Sequence, residues 1–235
     1  MKTNFISLQG SYKYLEIAIF KESKCISHIK REGSRASSQL IPYLDDILKE
    51  SFLSLPDIEF IAVNQGPGAS TSLRVVISSA NAISFASKIP LIGIDGLEAL
   101  AFECFKLIKN TPKVLVSLLN AFNNEAFFAV YTISDNNLEL QMPKGYKKID
   151  LLLDEIKTKF PKEEILFCGN GTQVFKNQID GFFSSYARIN PELPLICSAE
   201  QVGLMALTHW EKKENISTKL LPTYLKIQNY KPKYS

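Results

Sequence analysis

Apolar positions in the first thirty residues come in short runs with the spacing of strands. Phe5-Ile6-Ser7-Leu8 leads into a polar turn at Gln9-Gly10-Ser11, residues 14–20 alternate, and after Lys21-Glu22-Ser23-Lys24 a third run covers 25–29. The short gaps predict consecutive antiparallel hairpins. The period then changes. Leu40, Ile41, Leu44, Ile47 and Leu48 recur at helical spacing. Ser37 or Ser38 is placed to cap that helix, and Pro42 falls in its first turn, where proline does least damage. Residues 60–63 form a continuous apolar run of the kind buried on both faces. A Gly66-Pro67-Gly68 turn, a helix to Ser87, a second buried strand over 90–94 and a helix over 96–108 complete a βββαβαβα order.

The second half starts again with strands, over 114–119 and 126–133, around a polar turn at Asn123-Asn124. Asp150 is the expected cap of a helix over 151–159. A strand over 165–168 ends in Gly169-Asn170-Gly171, with a helix starting at Thr172. Ser198 caps an amphipathic helix over 199–213, and a last strand is expected near 224–227. Two halves thus present a similar order of elements without a sequence repeat. That order fits an α/β, duplicated actin-like (ribonuclease-H-like) architecture; the alternative from pattern alone is a generic three-layer α/β domain. The expected lobes are 1–108, carrying the docking helices described below, and 109–235, ending in a flexible tail.

Composition is that of an ordinary globular chain: 235 residues, 46% hydrophobic and 22% charged. No apolar run approaches the roughly 18 to 20 residues that span a bilayer. The first residues lack the apolar core of a secretory signal, so a cytoplasmic location without a membrane partner is expected. Cys25, Cys104, Cys168 and Cys197 are widely spaced and form no CxxC pair, which predicts free thiols rather than a zinc or disulfide framework. A net charge of +3 is too small to argue for nucleic acid. The basic, tyrosine-containing tail around Lys226, Tyr230 and Lys233 reads as a solvated terminus.

Chemistry is sparse. His28 and His209 are the two histidines, far from the spacing that places two metal ligands on one helix face, and no GxSxG elbow is present. No metal and no cofactor is therefore expected. Gly66-Pro67-Gly68 before a helix has the form of an anion cradle, but the GxxxxGK[ST] of a phosphate loop is missing. The turns that hold nucleotide-bound metal in actin-like kinases carry Gln9 and Asn120 here, both neutral and poor ligands for a hard cation. The helix after the Gly-Pro-Gly turn is rich in small residues. Ser72, Val76, Ser79, Ala80 and Ile83 lie along one stripe, and the helix over 39–49 presents Leu40, Tyr43, Leu44 and Ile47 beside it. These nine residues are the candidate partner-docking set. Intramolecular packing against the sheet is the other reading of the same stripe. Gly66, Pro67, Gly68 and Arg74 would set the geometry of the loop.

Residues 64–74, Asn64-Gln65-Gly66-Pro67-Gly68-Ala69-Ser70-Thr71-Ser72-Leu73-Arg74, resemble the G-x-GPG-SFTG-[LV]-R signature of the TsaB (YeaZ) family. Leu40-Ile41-Pro42-Tyr43-Leu44 resembles its leucine-proline helix, Gly169-Asn170-Gly171 its second glycine turn, and Pro222-Thr223-Tyr224-Leu225-Lys226 its closing P-x-YLR. Order and spacing hold over nearly the whole chain. The resemblance implies an actin-like fold and a non-catalytic scaffold for a TsaD-like catalytic subunit. That complex makes threonylcarbamoyladenosine at position 37 of tRNA, with a TsaE-like ATPase as a further partner. It also implies docking through the two helices, to TsaD or to a second copy as a homodimer, and only indirect contact with tRNA. The family's first-turn aspartate is Gln9 here, its histidine before the leucine-proline helix falls at Ala36, and its SFTG is Ala69-Ser70-Thr71-Ser72. A degenerate actin-like ATPase, a glycopeptidase-like enzyme and a stand-alone homodimeric regulator are the alternatives.

Overall fold

The computed structural model describes residues 3–225 except 34, 69 and 136. Its first sheet is built from β1 (Asn4–Ser11), β2 (Tyr14–Lys21), β3 (Lys24–Glu32), β4 (Phe60–Asn64) and β5 (Leu91–Ile94), in the order β3-β2-β1-β4-β5, with β11 (Ile216–Ser217) added beside β5. The second sheet contains β6 (Val114–Asn120), β7 (Glu125–Ser134), β8 (Asn137–Lys148), β9 (Ile165–Cys168) and β10 (Ala187–Ile189), in the order β8-β7-β6-β9-β10. In each sheet the first three strands are antiparallel and the next two run parallel to the first. The same five-strand order occurring twice is the duplicated actin-like α/β fold.

Among the described residues seven α-helices stack with the sheets in five layers. α1 (Leu40–Glu50) and α2 (Ser70–Ser87) cover the outer face of the first sheet, where Leu44, Ile47, Val76 and Ala80 meet Ile6, Leu8 and Ile17. α4 (Ile149–Lys159), α5 (Gly171–Val174) and α6 (Lys176–Phe183) lie on the outer face of the second sheet. Between the sheets lie α3 (Gly96–Leu107) and α7 (Ala199–Lys212). They are exchanged relative to the linear halves: α3 packs on β6 and β7, whereas α7 packs on β1, β4 and β5. The central core therefore draws on both sheets at once. Rings of Phe20, Phe5, Phe60 and Trp210 stack in series with centroids 4.4–4.8 Å apart, fastening α7 to the first sheet. Among the described residues no helix is long and apolar enough to cross a membrane.

Local chemistry explains the starts of α3 and α7. Asp95 Oδ1 accepts the Glu98 N–H at 2.9 Å and Ser198 Oγ accepts that of Gln201 at 3.1 Å, each satisfying a donor that helix geometry leaves free. Several expectations need correction. A 3-10 turn over Ala36–Gln39 takes up the two serines expected to cap α1, and Gln39 stands at the cap without a side-chain bond. Asp150 lies inside the first turn of α4 and Lys148 occupies the cap. β1 continues to Ser11, so the first hairpin turns at Tyr12-Lys13 rather than at 9–11. β8 was not expected at all. The last strand is at 216–217; residues 224–225 are not in a strand, and 226–227, like the rest of the tail, lie outside the described residues.

Candidate partner-docking site

The loop between β4 and α2 is bracketed from several sides. Asn64 Oδ1 accepts the Gly66 N–H at 2.8 Å, and the Gly66 carbonyl accepts the N–H of Gly96 at 2.7 Å, tying the loop to the first residue of α3. Gly66 has φ +96°, and a Cβ there would stand 2.7 Å from Leu73 Cδ2. That φ favours glycine, and a Cβ would press on the end of the Leu73 side chain. Gly68 lies over the end of β1, where a Cβ would reach within 2.3 Å of Ser11 Oγ. Pro67 is buried between them.

A C-terminal strap runs along α2. Leu220 N–H donates to Asn81 Oδ1 and Asn81 Nδ2 donates to the Leu220 carbonyl, at 2.8 and 2.9 Å. Gln65 Nε2 donates to the Leu221 carbonyl, and Thr223 N–H returns a bond to the Gln65 carbonyl, at 2.7 and 2.8 Å. Arg74 Nε donates to the Tyr224 hydroxyl at 2.8 Å, with its guanidinium 5.4 Å from that ring's centroid. Arg74 and Tyr224, at opposite ends of the chain's motif set, thus meet in space.

The candidate docking residues separate into two groups. Leu40, Leu44, Ile47, Val76 and Ala80 are buried in the core beneath α1 and α2. A side chain with no exposed area cannot meet a partner, so these five hold the helices to the sheet. Tyr43, Ser72, Ser79 and Ile83 are partly exposed, and Ser72 Oγ donates to the Tyr12 carbonyl at 3.1 Å. The outward positions of the two neighbouring helices carry other residues: Ile41 (52% exposed), Thr71, Ser78, Ala82 and Phe85 (79% exposed). Neither Ile41 nor Phe85 was in the candidate set. Ile41 belongs to the same apolar stripe as Leu40, Leu44, Ile47 and Leu48 but stands at its edge in the first turn of α1, and only the structure shows that it is left outside the core.

In the cleft between the lobes the first hairpin, the end of β6 and the turn after β9 approach one another. Gln9 is fully buried opposite Glu16 on β2. The Asn120 N–H donates to Asn170 Oδ1 at 2.9 Å, and Asn120 Oδ1 accepts the Phe122 N–H at 2.9 Å. The histidines have local partners. His28 Nε2 lies 3.4 Å from Glu16, and that hydrogen bond raises the imidazole above its ordinary value. His209 Nδ1 faces Glu214 at 3.6 Å and Asn215 at 3.3 Å. Among the described residues no three His, Cys, Asp or Glu side chains gather as a metal site. All four cysteines are free, and burial pushes the Cys25 thiol up to about 11.

The family described as "TsaD: tRNA N6-adenosine threonylcarbamoyltransferase" matches residues 31–225. The chain belongs to this family. Within it, the similarity is to its TsaB (YeaZ) members. "tRNA threonylcarbamoyladenosine biosynthesis protein TsaB" of Buchnera aphidicola from Acyrthosiphon pisum is 24% identical over 59% of this chain and 62% of its own length. The Bacillus subtilis protein of that name is 22% identical over 97% of this chain and 96% of its own. The structure of YeaZ from Pseudomonas aeruginosa superposes with a TM-score of 0.78 at 19% identity, covering 95% of this chain and all of that one. The first Buchnera match thus spans under two thirds of that relative, whereas the Bacillus match is end to end.

Proposed function

We propose that this chain is a non-catalytic scaffold subunit in the synthesis of tRNA N6-threonylcarbamoyladenosine. It binds and activates a TsaD-like catalytic subunit through the outer face of α1 and α2, and helps to recruit a TsaE-like ATPase. The same face serves a homodimer when the partner is absent, and tRNA is reached through the complex. The observation that carries this reading is the outward surface of α2. Its apolar residues Val76, Ile77 and Ala80 are spent on the core, yet Phe85 stands 79% exposed at the end of a strip of serine and alanine. Small residues allow a second helix to come close, and an exposed aromatic at the edge supplies the buried anchor that interfaces favour. The Gly66–Gly68 loop and the strap fix the direction in which that helix points.

Mixing the purified chain with its TsaD-like partner tests the proposal by size-exclusion chromatography and titration calorimetry. Phe85→Asp combined with Ile41→Asp should weaken association by about a hundredfold, as loss of a hot-spot pair does, while the thermal midpoint of the isolated chain stays within a degree or two. Wild-type protein that fails to co-elute with the partner, with or without nucleotide, would count against scaffolding. Tight binding of magnesium–ATP that disappears in Gly68→Ala would favour the enzyme reading instead.

A further inference from the structure

The first hairpin turns on Tyr12 and Lys13, and Tyr12 has φ +56° while Lys13 does not share the positive sign. In two-residue hairpin loops with positive φ only at the first position, that place belongs to glycine. Glu22, at the same place in the β2–β3 turn, has the same φ of +56°, so it is the contacts of the Tyr12 side chain, not its backbone, that set it apart. The side chain crosses the gap between the lobes. Its hydroxyl donates to the Asn120 carbonyl at the β6–β7 turn, at 2.7 Å. Asn120 is joined in turn to Asn170 of the second glycine turn, whose N–H donates to the Leu195 carbonyl at 2.7 Å. On the near side the Tyr12 carbonyl accepts from Ser72 at the start of α2, and the Tyr12 ring edge lies 3.7 Å from where a Gly68 Cβ would stand. Tyr12 therefore links the β6–β7 turn, the second glycine turn and the start of α2.

We propose that Tyr12 is an interlobe latch: its phenol occupies the cleft between the two actin-like lobes and ties the β6–β7 turn and the second glycine turn to the first hairpin and α2. The cleft is thereby filled by the chain's own ring, and the slot beneath it is matched to a phenol, an aromatic ring with one hydrogen-bond donor. Burial pushes the phenol above its ordinary titration range. The latch adds a tie across the cleft to the core that already joins the two sheets, so that a partner seated on α2 and a group near Asn120 and Asn170 feel the same frame.

The test compares wild type, Tyr12→Phe and Tyr12→Gly by native-state amide hydrogen exchange. Glycine suits the backbone of the turn, so the second variant deletes the ring while keeping the hairpin. Tyr12→Gly should speed exchange over residues 120–125 and 169–172 by at least about tenfold, with the outer layers, α1 and α4, unchanged. Tyr12→Phe, lacking only the donor, should give a smaller increase of roughly three- to tenfold in the same two segments. Added phenol should slow exchange there in Tyr12→Gly alone, and cyclohexane-sized apolar compounds should not. Unchanged exchange in those segments, an increase spread evenly over both sheets, or indifference to phenol would each overturn the latch.

Discussion

Replacing Gly169 with alanine is expected to cost about 2–6 kcal/mol, a large share of a typical stability of about 5–15 kcal/mol. Two causes add. Gly169 has φ +96°, a region that L-residues occupy at a cost of about 1–3 kcal/mol. Its Cβ would then lie 2.4 Å from the Leu118 carbonyl oxygen and 2.9 Å from Leu100 Cδ2. Leu118 is on β6, a central strand held between β7 and β9, so the oxygen cannot retreat without breaking a ladder. Overpacking of this kind costs about a further 1–3 kcal/mol. Gly66 supplies the contrast. It has the same φ and the corresponding place after the fourth strand of its sheet, but its nearest neighbour is the tip of Leu73, which can rotate away. Gly66→Ala should therefore lose only about 1–3 kcal/mol. Gly181, within α6 and with nothing inside 4 Å of its Cβ position, should gain up to about 1 kcal/mol as alanine. Urea midpoints of the three variants check the ranking, and a Gly169→Ala midpoint near wild type would refute the packing argument.

The same physics explains which parts of the fold were legible in the sequence. β9 reads directly as Ile165–Cys168 because all four residues are buried and the run is continuously apolar. α7 carries both its cap and its period. β8 was hidden for the opposite reason. It is an edge strand with only Leu138 and Met142 buried, and its pairing with β7 shifts register near Phe128 and Val130, so no alternation survives over its twelve residues. Tyr12 was hidden because turn rules look for glycine or asparagine where a tyrosine stands. The docking face shows a different limit. Periodicity does place Val76 and Ala80 on one stripe, but it cannot say whether the stripe faces a partner or β1. The first sheet supplies the answer by covering it, which moves the exposed candidates to Ile41 and Phe85. Arg74 and Tyr224 sit 150 residues apart, and only the strap reveals why one accompanies the other.

Removing the Glu16 carboxylate should be the second large effect. Glu16 is 1% exposed on β2, where its Oε2 accepts the buried Ala199 N–H at 3.0 Å. Its Oε1 meets Lys30 Nζ at 2.8 Å and its Oε2 faces His28 Nε2 at 3.4 Å. Ser7 Oγ donates to the Ala199 carbonyl at 2.7 Å, and Glu103 on α3 accepts the Ser198 N–H at 2.8 Å. Two carboxylates thus stand at the positive end of α7 and anchor it between the sheets. Glu16→Ala leaves the Ala199 N–H unpaired in the core. Lys30 and His28 reach solvent, which moderates the loss, so about 2–4 kcal/mol is expected. Glu16→Gln keeps an acceptor and should lose roughly half of that.

The pH dependence follows from the signs. Burial pushes the Glu16 carboxyl up, but the bonds from His28, Lys30 and Ala199 outweigh it and leave it below its ordinary 4.5. Its contribution is therefore complete above 4.5 and is lost as pH falls through the lowered value. The Glu16 bond raises His28 above 6.5, so that contribution is complete below 6.5 and is lost as pH rises through the raised value. Burial raises Glu103, which opposes Glu16: its stabilising share belongs to the protonated form and fades as pH rises through its raised value. The gap in stability between wild type and Glu16→Gln should accordingly be widest between 4.5 and 6.5 and narrow on either side. On the alkaline side it should not close, because Lys30 and the Ala199 N–H still favour the carboxylate. Urea titrations from below 4.5 to above 6.5 measure the gap directly, and a gap that narrows on neither side would mean that Glu16 holds α7 through its shape and hydrogen-bond acceptor rather than its charge.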